Sequence, residues 1–362
     1  MTESLSVAIP CRADEPDLET TLNSLAVACG HTQLPPGLVA ELIVCINGLQ
    51  PAGMCASLLA VREFCARQGI AKEEVWVTHG GQQAPDPVPT QKVTEPGNRR
   101  GGQSVTRGAQ QSPASPLLPP SDSTYPLPPF PRCTILLTER SGKPPAWNML
   151  WRQSQGALVL FADADVRVEE DAVVALCIRM QCEPQLRLVA AREVPMLQDG
   201  GTLWSRMGAI PYRFNFGNAG GRLLLIRKDA LVQGMPEDLL LEDAWLTVAV
   251  GRMQVAKELA AKVYFLPPAT ARDYVAERIR TEGGKLQIRR QYRQLLAGGP
   301  IAHYRWADFW REISVHEYPL IFLALLMRIF ANGWARLALT RKDFYALYRP
   351  FTSTKGWGRR KG

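Results

Sequence analysis

The sequence lacks the cysteine pattern of a zinc site or of a disulfide-stabilised secreted domain. It contains 8 cysteines, but no two of them form a C-x-x-C pair. Most stand among apolar neighbours, so we interpret them as small core residues of a protein in a reducing compartment. The N-terminal stretch MTESLSVAIPCRADE also lacks the basic region and the apolar region of a secretory signal. Together these absences predict a cytoplasmic protein.

A long apolar run is missing as well. Apolar residues continue without interruption only from Tyr318 to Met327 near the C-terminus, whereas a spanning helix needs about 20. Crossing a membrane would therefore bury Arg328, Asn332 and Arg336. Two interpretations stay open: an interfacial helix beside a basic tail, or a helix packed on the rest of the protein. The first predicts peripheral association with the inner face of a membrane, and a lipid or lipid-linked acceptor.

Neither charge sign dominates the composition. The 42 basic and 34 acidic residues give a formal net charge of +8. This excess favours anionic partners such as nucleotide phosphates or anionic lipid, and we expect no nucleic-acid partner. The hydrophobic fraction of 46% is ordinary for a globular protein and allows a sizeable core.

Strand-like and helix-like segments alternate at the start of the chain. LSVAIP, ELIVCING and EEVWVTH have the apolar character of short buried strands, and two segments with helical apolar spacing separate them. Gly69 is predicted to end the second of these helices. The alternation predicts an α/β protein with a Rossmann-like, mainly parallel sheet covered by helices on both faces.

The alternation stops between residues 80 and 131. This segment is rich in Pro, Gly, Gln and Ser and has no apolar period, so we predict a disordered insertion in a surface loop. A lid or partner-binding segment is the functional alternative. We therefore expect one domain from residues 1–79 and 132–300, the insertion at 80–131, and an amphipathic helical and basic tail at 301–362.

Two carboxylates follow a strand-like run in the sequence ALVLFADADVRVEED. Asp163 and Asp165 are two residues apart, and such residues point to the same side of an extended chain. They would lie at the carboxyl end of the strand, where open α/β sheets bind ligands. A hard divalent cation such as Mg²⁺ or Mn²⁺ would join two such charges. The alternative is that both acids cap the helix that begins near Glu169.

Five separated stretches resemble the family 2 glycosyltransferases, which have the GT-A fold. They cover roughly residues 5–79 and 132–295, in the family's order. The matching residues are Pro10, Glu15, Leu22, Ser24 and Leu25 in the first stretch, Gly142, Lys143, Ala146 and Asn148 in GKPPAWN, the D-x-D acids in FADAD, Glu242 and Asp243 in LLLEDAWL, and Gln287 and Arg290 in QIRRQ. Asp14 stands where the family usually has Asn, and Gln291 replaces the tryptophan of the last motif.

The resemblance implies an inverting transferase that uses a nucleotide-sugar donor and a divalent metal. In such an enzyme Asp243 is the catalytic base, Asp165 ligates Mg²⁺ or Mn²⁺, and Asp163 binds the ribose or a metal-bound water. The residues that we assign to the nucleotide sugar are Pro10, Glu15, Lys143, Asn148, Asp163, Gln287, Arg289 and Arg290.

Two of these assignments compete with simpler explanations. Asp243 opens a predicted helix, where the helix dipole favours an acid in any case. Arg289 and Arg290 belong to a basic stretch with Lys285 and Arg293. That stretch could bind diphosphate oxygens in a bidentate manner, or could simply be a solvated helical face.

One departure from the family pattern affects the function. Ile46 stands where the family usually has an aspartate that helps to hold the nucleotide base. A non-catalytic nucleotide or sugar binder is therefore one alternative function. A D-x-D phosphatase is another, but Arg167 and the position of the motif in the middle of the chain disfavour it.

Overall fold

The computed structural model describes residues 4–35, 37–49, 55–77, 129–213, 219–293 and 314–338. They form the predicted α/β fold. The strands are β1 (Leu5–Arg12), β2 (Val39–Asn47), β3 (Ala71–Trp76), β4 (Arg132–Thr138), β5 (Leu158–Ala162), β6 (Arg167–Val168), β7 (Leu188–Pro195), β8 (Leu223–Arg227) and β9 (Val255–Phe265). The helices are α1 (Leu18–Cys29), α2 (Ala56–Gln68), α3 (Lys143–Gln153), α4 (Ala172–Cys182), α5 (Leu203–Ala209), α6 (Glu242–Val250), α7 (Ala271–Gln291) and α8 (Tyr318–Ala338).

The described strands make one mixed sheet in the order β3-β4-β2-β1-β5-β8-β7-β9-β6. The five strands from β3 to β5 in this order are all parallel. Strand β8 is inserted antiparallel between β5 and β7. The prediction of a mainly parallel sheet is confirmed, and the antiparallel β8 is an addition that the sequence pattern did not reveal. It pairs Leu223 with Ala162, so the residue before β8 lies opposite the residue after β5.

Helices cover both faces of the sheet, as predicted. Successive residues of one strand enter two separate cores: Val7 and Ile9 of β1 pack in one, and Ala8 between them packs in the other. The first core receives the apolar faces of α1, α2 and α4, and the second receives α3 and α6. A strand buried on both faces must be apolar at every position, which explains the continuous apolar runs.

Helix ends follow local chemistry. Gly69 ends α2 with a left-handed φ of 65°, as predicted. Helix α6 ends at Val250, because Gly251 follows with a φ of 95°. The next three residues form a separate 3₁₀ turn. Thr270 caps α7 by accepting a hydrogen bond from the Asp273 N–H, a typical N-cap contact.

Helix α7 was not predicted as a full helix because much of its buried face is polar. Glu277, Glu282 and Gln287 are all buried, so the helix has no apolar stripe of the kind that reveals an amphipathic helix. Gly284 allows close packing: a Cβ at this position would lie 2.4 Å from Cβ of Leu241. The helix therefore runs directly beside the chain that leads into α6.

Helix α8 packs against α7 through polar contacts. The Glu282 carboxylate accepts from Asn332 at 3.3 Å and pairs with Arg328 at 3.2 Å. By length and composition alone, the helical stretch Val315–Leu337 is apolar enough to cross a membrane, and 11% of its most apolar window is buried. The prediction that this region is too short to span a membrane rested on the uninterrupted apolar run from Tyr318 to Met327, whereas the helix continues past Arg328 to Ala338.

Most of the predicted insertion, and most of the predicted tail, lie outside the described residues. The described chain resumes at residue 129, and Phe130 is buried against Phe64 with ring centroids 6.4 Å apart. Phe130, which was assigned to the insertion, therefore belongs to the core. Strands β3 and β4, on either side of this segment in the sequence, are parallel neighbours, and β3 is the outermost strand at that end of the described sheet.

Candidate active site

The D-x-D acids lie at the carboxyl end of β5, as predicted. Asp163 and Asp165 are partly exposed, whereas Ala164 between them is buried, which agrees with side chains on a common side. The hydroxyl of Thr21 on α1 holds this turn: it lies 2.9 and 2.7 Å from the carbonyl oxygens of Ala164 and Val166, which share its one proton, and it accepts from the Val166 N–H at 3.1 Å. The contacts are tertiary and fix the turn, so the acids are not presented by a flexible loop.

Lys143 joins the D-x-D turn to the start of α6. Its Nζ atom lies 2.7 Å from Oδ1 of Asp163 and 2.7 Å from Oε1 of Glu242. Burial opposes the charge of Lys143, but the two carboxylates outweigh it and raise its pKa. Burial also disfavours the charged form of Glu242 and alone would raise its pKa. The positive charges of Lys143 and Arg280 outweigh burial, so the pKa of Glu242 is lowered. The lysine therefore remains an ammonium ion between the two acidic motifs.

Asp243 is the second acid of α6 and has a different environment. Its Oδ1 accepts from the Ala244 N–H at 2.7 Å. Burial, followed by the charges of Glu242 and Glu193, raises the pKa of Asp243 to about 6. A carboxylate with a pKa close to neutral is suited to accept and return a proton.

Two charged residues of this site were missed by the sequence analysis. Nε of Arg222, the residue before β8, lies 3.5 Å from Oε1 of Glu193 on β7. The carbonyl of Arg222 also accepts from the Asp163 N–H at 2.9 Å. The signal was the strand-preceding sequence GGR in FGNAGGR, but only the antiparallel pairing of β8 brings that arginine beside the D-x-D turn.

Asn148 and Gln287 both hold the chain that precedes α6. Asn148 donates to the Met235 carbonyl at 2.8 Å and accepts from the Met235 N–H at 2.9 Å. Gln287 accepts from the Leu240 N–H at 3.1 Å and donates to the Asp238 carbonyl at 2.8 Å. Both amides were assigned to the nucleotide sugar from the resemblance. In the structure their described contacts go to this loop, which they clamp from two sides.

Pro10 and Glu15 lie at the end of β1 and just after it, beside the D-x-D turn. Strand β1 is the parallel neighbour of β5, so both strands end at the same edge of the sheet. Glu15 is buried, and its N–H donates to the Ser57 hydroxyl at 3.0 Å. Its carboxylate also accepts from the Asp17 N–H at 3.3 Å. Its described hydrogen bonds are therefore to neighbouring turns of the chain.

The basic stretch of α7 is divided in the structure. Lys285 pairs with Glu282 at 2.9 Å, whereas Arg289 and Arg290 are exposed in the last turn. Arg280 is the α7 cation whose charge acts on Glu242. Arg289 lies nine residues further on, which is about 14 Å along a helix. Arg289 and Arg290 thus lie more than two helical turns from Arg280, the cation that acts on Glu242.

The D-x-D carboxylates suit a divalent cation that is bound partly by the protein and partly by a substrate. Within the ranges that the structure describes, no three His, Cys, Asp or Glu side chains are grouped to hold a metal ion. Mg²⁺ is commonly bound by one or two carboxylates together with substrate phosphates, and Mn²⁺ prefers the same oxygen ligands. Asp165, with Asp163 two residues away, offers such a set.

Ile46 lies in the core and does not reach this site. It is fully buried in β2 among the residues that contact α1 and α2. The neighbouring Asn47 donates weakly towards the Gly142 carbonyl, at 3.5 Å. The departure from the family pattern therefore replaces an acid with a core side chain.

Comparison with known proteins relates the chain to solved structures only. No protein-family model and no curated protein matches it. The mannosyltransferase PcManGT of Pyrobaculum calidifontis, solved with GDP-Man and Mn²⁺, has a TM-score of 0.50 and 15% identity over 97% of this chain and 82% of that one. Residues 1–349 of S. aureus TarS give 0.42 and 14%, over 91% and 80%. Glucosyl-3-phosphoglycerate synthase of Mycobacterium tuberculosis gives 0.42 and 12%, over 79% of each chain. The likeness to PcManGT shows a fold of the GT-A type, as predicted.

Proposed function

We propose that this protein is an inverting glycosyltransferase of the family 2 type, which moves a hexosyl group from a nucleotide sugar to an acceptor hydroxyl. One observation carries the proposal: the D-x-D turn and the acidic start of α6 meet at a single ammonium group, 2.7 Å from a carboxylate of each. The acids proposed to bind the donor and the acid proposed to activate the acceptor would thus act at the same edge of the sheet.

The donor is a nucleotide diphosphate sugar bound at the D-x-D turn. Mg²⁺ or Mn²⁺ held by Asp165 would neutralise the diphosphate as a Lewis acid. Asp163 would bind the ribose or a metal-bound water, and Lys143 would add a fixed positive charge beside the leaving group. The solved PcManGT complex contains GDP-Man and Mn²⁺, which supports this class of donor.

Asp243 acts as the base for the acceptor. It takes the hydroxyl proton while the acceptor oxygen forms a bond to the anomeric carbon of the sugar. The bond from that carbon to the diphosphate breaks, and its electron pair leaves with the nucleotide. Attack on the face opposite the leaving group inverts the anomeric centre. The pKa of Asp243, raised to about 6 by burial and neighbouring acids, suits this role at neutral pH.

Two asparagine variants test the assignment. Asp243→Asn should lower turnover by about 10²–10⁴-fold, the usual contribution of a positioned base, and should leave nucleotide affinity nearly unchanged. Asp165→Asn should lose metal-dependent nucleotide binding together with activity. Release of nucleotide diphosphate from a panel of nucleotide sugars, and thermal shift with nucleotide diphosphates and Mn²⁺, measure the two effects. An Asp243→Asn protein with full turnover would contradict the mechanism.

A non-catalytic nucleotide or sugar binder is the second candidate function, and Ile46 favours it. The buried isoleucine cannot supply the acidic contact to the base that the family pattern has at this position. Donor binding without turnover in the native protein, with every acceptor in the panel, would support the binder.

The proposal extends to a lipid or lipid-linked acceptor at the inner face of a membrane. Helix α8 and the 3₁₀ turn before it have an exposed apolar surface made of Val315, Tyr318, Phe322, Leu325, Leu326, Ile329, Phe330, Trp334 and Leu337. Residues 339–362 contain seven Lys or Arg and a single acid, and such a segment would add attraction to anionic lipid.

The contacts of α8 connect this surface to the site. Glu317, just before α8, pairs with Arg213 at 2.6 Å. The neighbouring Tyr212 ring lies under the guanidinium of Arg222, 5.7 Å from its centroid, and Arg222 contacts the D-x-D turn. An acceptor held in the bilayer surface would thus have its hydroxyl near the catalytic edge.

Vesicle sedimentation tests the membrane part. The protein should sediment with anionic vesicles at low salt and should be released as salt rises. Ile329→Asp should weaken binding, because it charges a side chain that is 70% exposed on α8. Ile178→Asp, on a residue that is 50% exposed on α4, is the matched control and should bind normally. Native protein that stays in the supernatant at low salt would contradict this extension.

A further inference from the structure

Glu193 has no role in the reaction described above, yet its charge acts on the proposed base, Asp243. The pairing of β7 with β9 changes register between Ala191 and Arg192, directly before this residue. Such irregularities redirect side chains and are frequent near active sites. The Glu193 side chain is only 11% exposed, so a carboxylate is held with little access to solvent.

Two consecutive glycines make room for two carboxylates. A Cβ on Gly220 would lie 2.5 Å from Cδ of Glu193 and 2.6 Å from its Oε2. A Cβ on Gly221 would lie 3.0 Å from Cβ of Asp243. Any side chain at Gly220 would displace the Glu193 carboxylate, so the backbone here is built to accommodate that group.

The charges around Asp243 are unequally compensated. Glu242 precedes it on α6 and is neutralised by Lys143 of α3 at 2.7 Å. Glu193 lies on β7 and its charge acts on Asp243, whereas its partner Arg222 is 3.5 Å away. Nε of Arg222 makes no hydrogen bond to the described residues, and its guanidinium stacks 3.7 Å from the centroid of the Phe265 ring. The negative charge of Glu193 is therefore less screened than that of Glu242.

We propose that Glu193 is a positioning residue, whose fixed negative charge makes Asp243 a stronger base than an isolated aspartate would be. This inference rests on the proposed function, in which Asp243 takes the acceptor proton. Burial and the charges of Glu242 and Glu193 together give Asp243 a pKa of about 6. A nearby like charge disfavours the ionised form of a carboxyl group, so the effect has the required sign.

The test is a titration of Asp243 that needs no substrate. Full-length protein is labelled at the side-chain carboxyl carbon of aspartate, and the resonance missing from Asp243→Asn identifies the residue. The native midpoint should be about 6. In Glu193→Gln it should fall by about one pH unit, on the order expected for loss of one nearby charge. Glu193→Ala makes the same test with another side-chain shape, should Glu193→Gln not fold.

The matched control is Glu74→Gln. Glu74 is also a partly buried acid paired with an arginine, Arg62 at 2.7 Å, but it lies on the edge strand β3. The Asp243 midpoint should not move in this variant, and it should stay high in Glu193→Asp, which keeps the charge. A midpoint that also stays high in Glu193→Gln or Glu193→Ala overturns this inference alone. Retained turnover in Asp243→Asn overturns the proposed function instead.

Discussion

Lys143 and Glu242 form an ion pair between the first turns of two helices that are distant in sequence. The Nζ atom of Lys143 at the start of α3 lies 2.7 Å from Oε1 of Glu242 at the start of α6. The same Nζ atom also serves Asp163. The three side chains are 13–23% exposed, so each charge depends on the others rather than on water.

Removal of the lysine charge should therefore destabilise the fold. Lys143→Met leaves two partly buried carboxylates without their cation, and loss of one partner of a buried pair costs about 3 kcal/mol or more. Urea unfolding measures the change in the free energy of unfolding. Arg62→Met is the control, because Arg62 and Glu74 are 35% and 26% exposed and such a pair contributes about 1 kcal/mol or less. Equal losses in the two variants would show that the central lysine is not special.

The loop before α6 should depend on its two amide clamps. Gln287→Leu removes the hydrogen bonds to Leu240 and Asp238 and leaves the buried N–H of Leu240 unpaired, which costs about 1–3 kcal/mol. Asn148→Leu should act in the same way at Met235. Both variants should lower the melting temperature and turnover while donor affinity changes little. A selective loss of donor affinity would instead support the donor contact inferred from the resemblance.

The parts of the site that could be predicted are those in which one local segment carries the signal. The apolar run before Asp163 predicts a strand that ends at this acid, and the helical pattern after Asp243 predicts a helix that begins there. Glu193 and Arg222 could not be found in this way. Their meeting depends on the antiparallel insertion of β8 between β5 and β7, and this pairing joins segments far apart in the chain.

Helix α7 shows a second limit of sequence interpretation. An amphipathic period is visible only when the buried face is apolar, and here Glu282 and Gln287 are buried because they bind α8 and the loop before α6. In the sequence, polar residues on a buried helix face cannot be distinguished from polar residues on an exposed one. The sequence therefore indicated a basic helical surface near Arg289, but not the polar contacts of Glu282 and Gln287.

Most of the predicted insertion should be dispensable for folding. Deletion of residues 86–120 keeps Phe130 and the chain that must cross between β3 and β4, and it removes a Pro- and Gly-rich stretch without an apolar period. Little buried apolar surface should be lost, so the melting temperature should change little. Circular dichroism on heating measures this. A large fall would show that the segment packs on the domain, as a lid or partner-binding element would.

Asp243 should reduce stability at the pH at which it is proposed to work. Its pKa is about 6 in the folded protein against the ordinary 3.8, so between these values the folded state binds the proton more tightly than the unfolded state. Ionised Asp243 therefore costs stability, and the cost grows as the pH rises from about 4 to 6 and persists above. It is at most about 3 kcal/mol for a shift of this size.

Asp243→Asn removes that cost, because the amide cannot ionise and its oxygen can still accept from Ala244. The variant and the native protein should have similar free energies of unfolding near pH 4, and the variant should become the more stable one as the pH rises towards 7. Urea unfolding across this range measures the difference. Asp229→Asn, at a site that is 72% exposed, is the control and should show no such divergence. A difference that is independent of pH would mean that Asp243 is not held at a raised pKa, and would remove the electrostatic support for its role as the base.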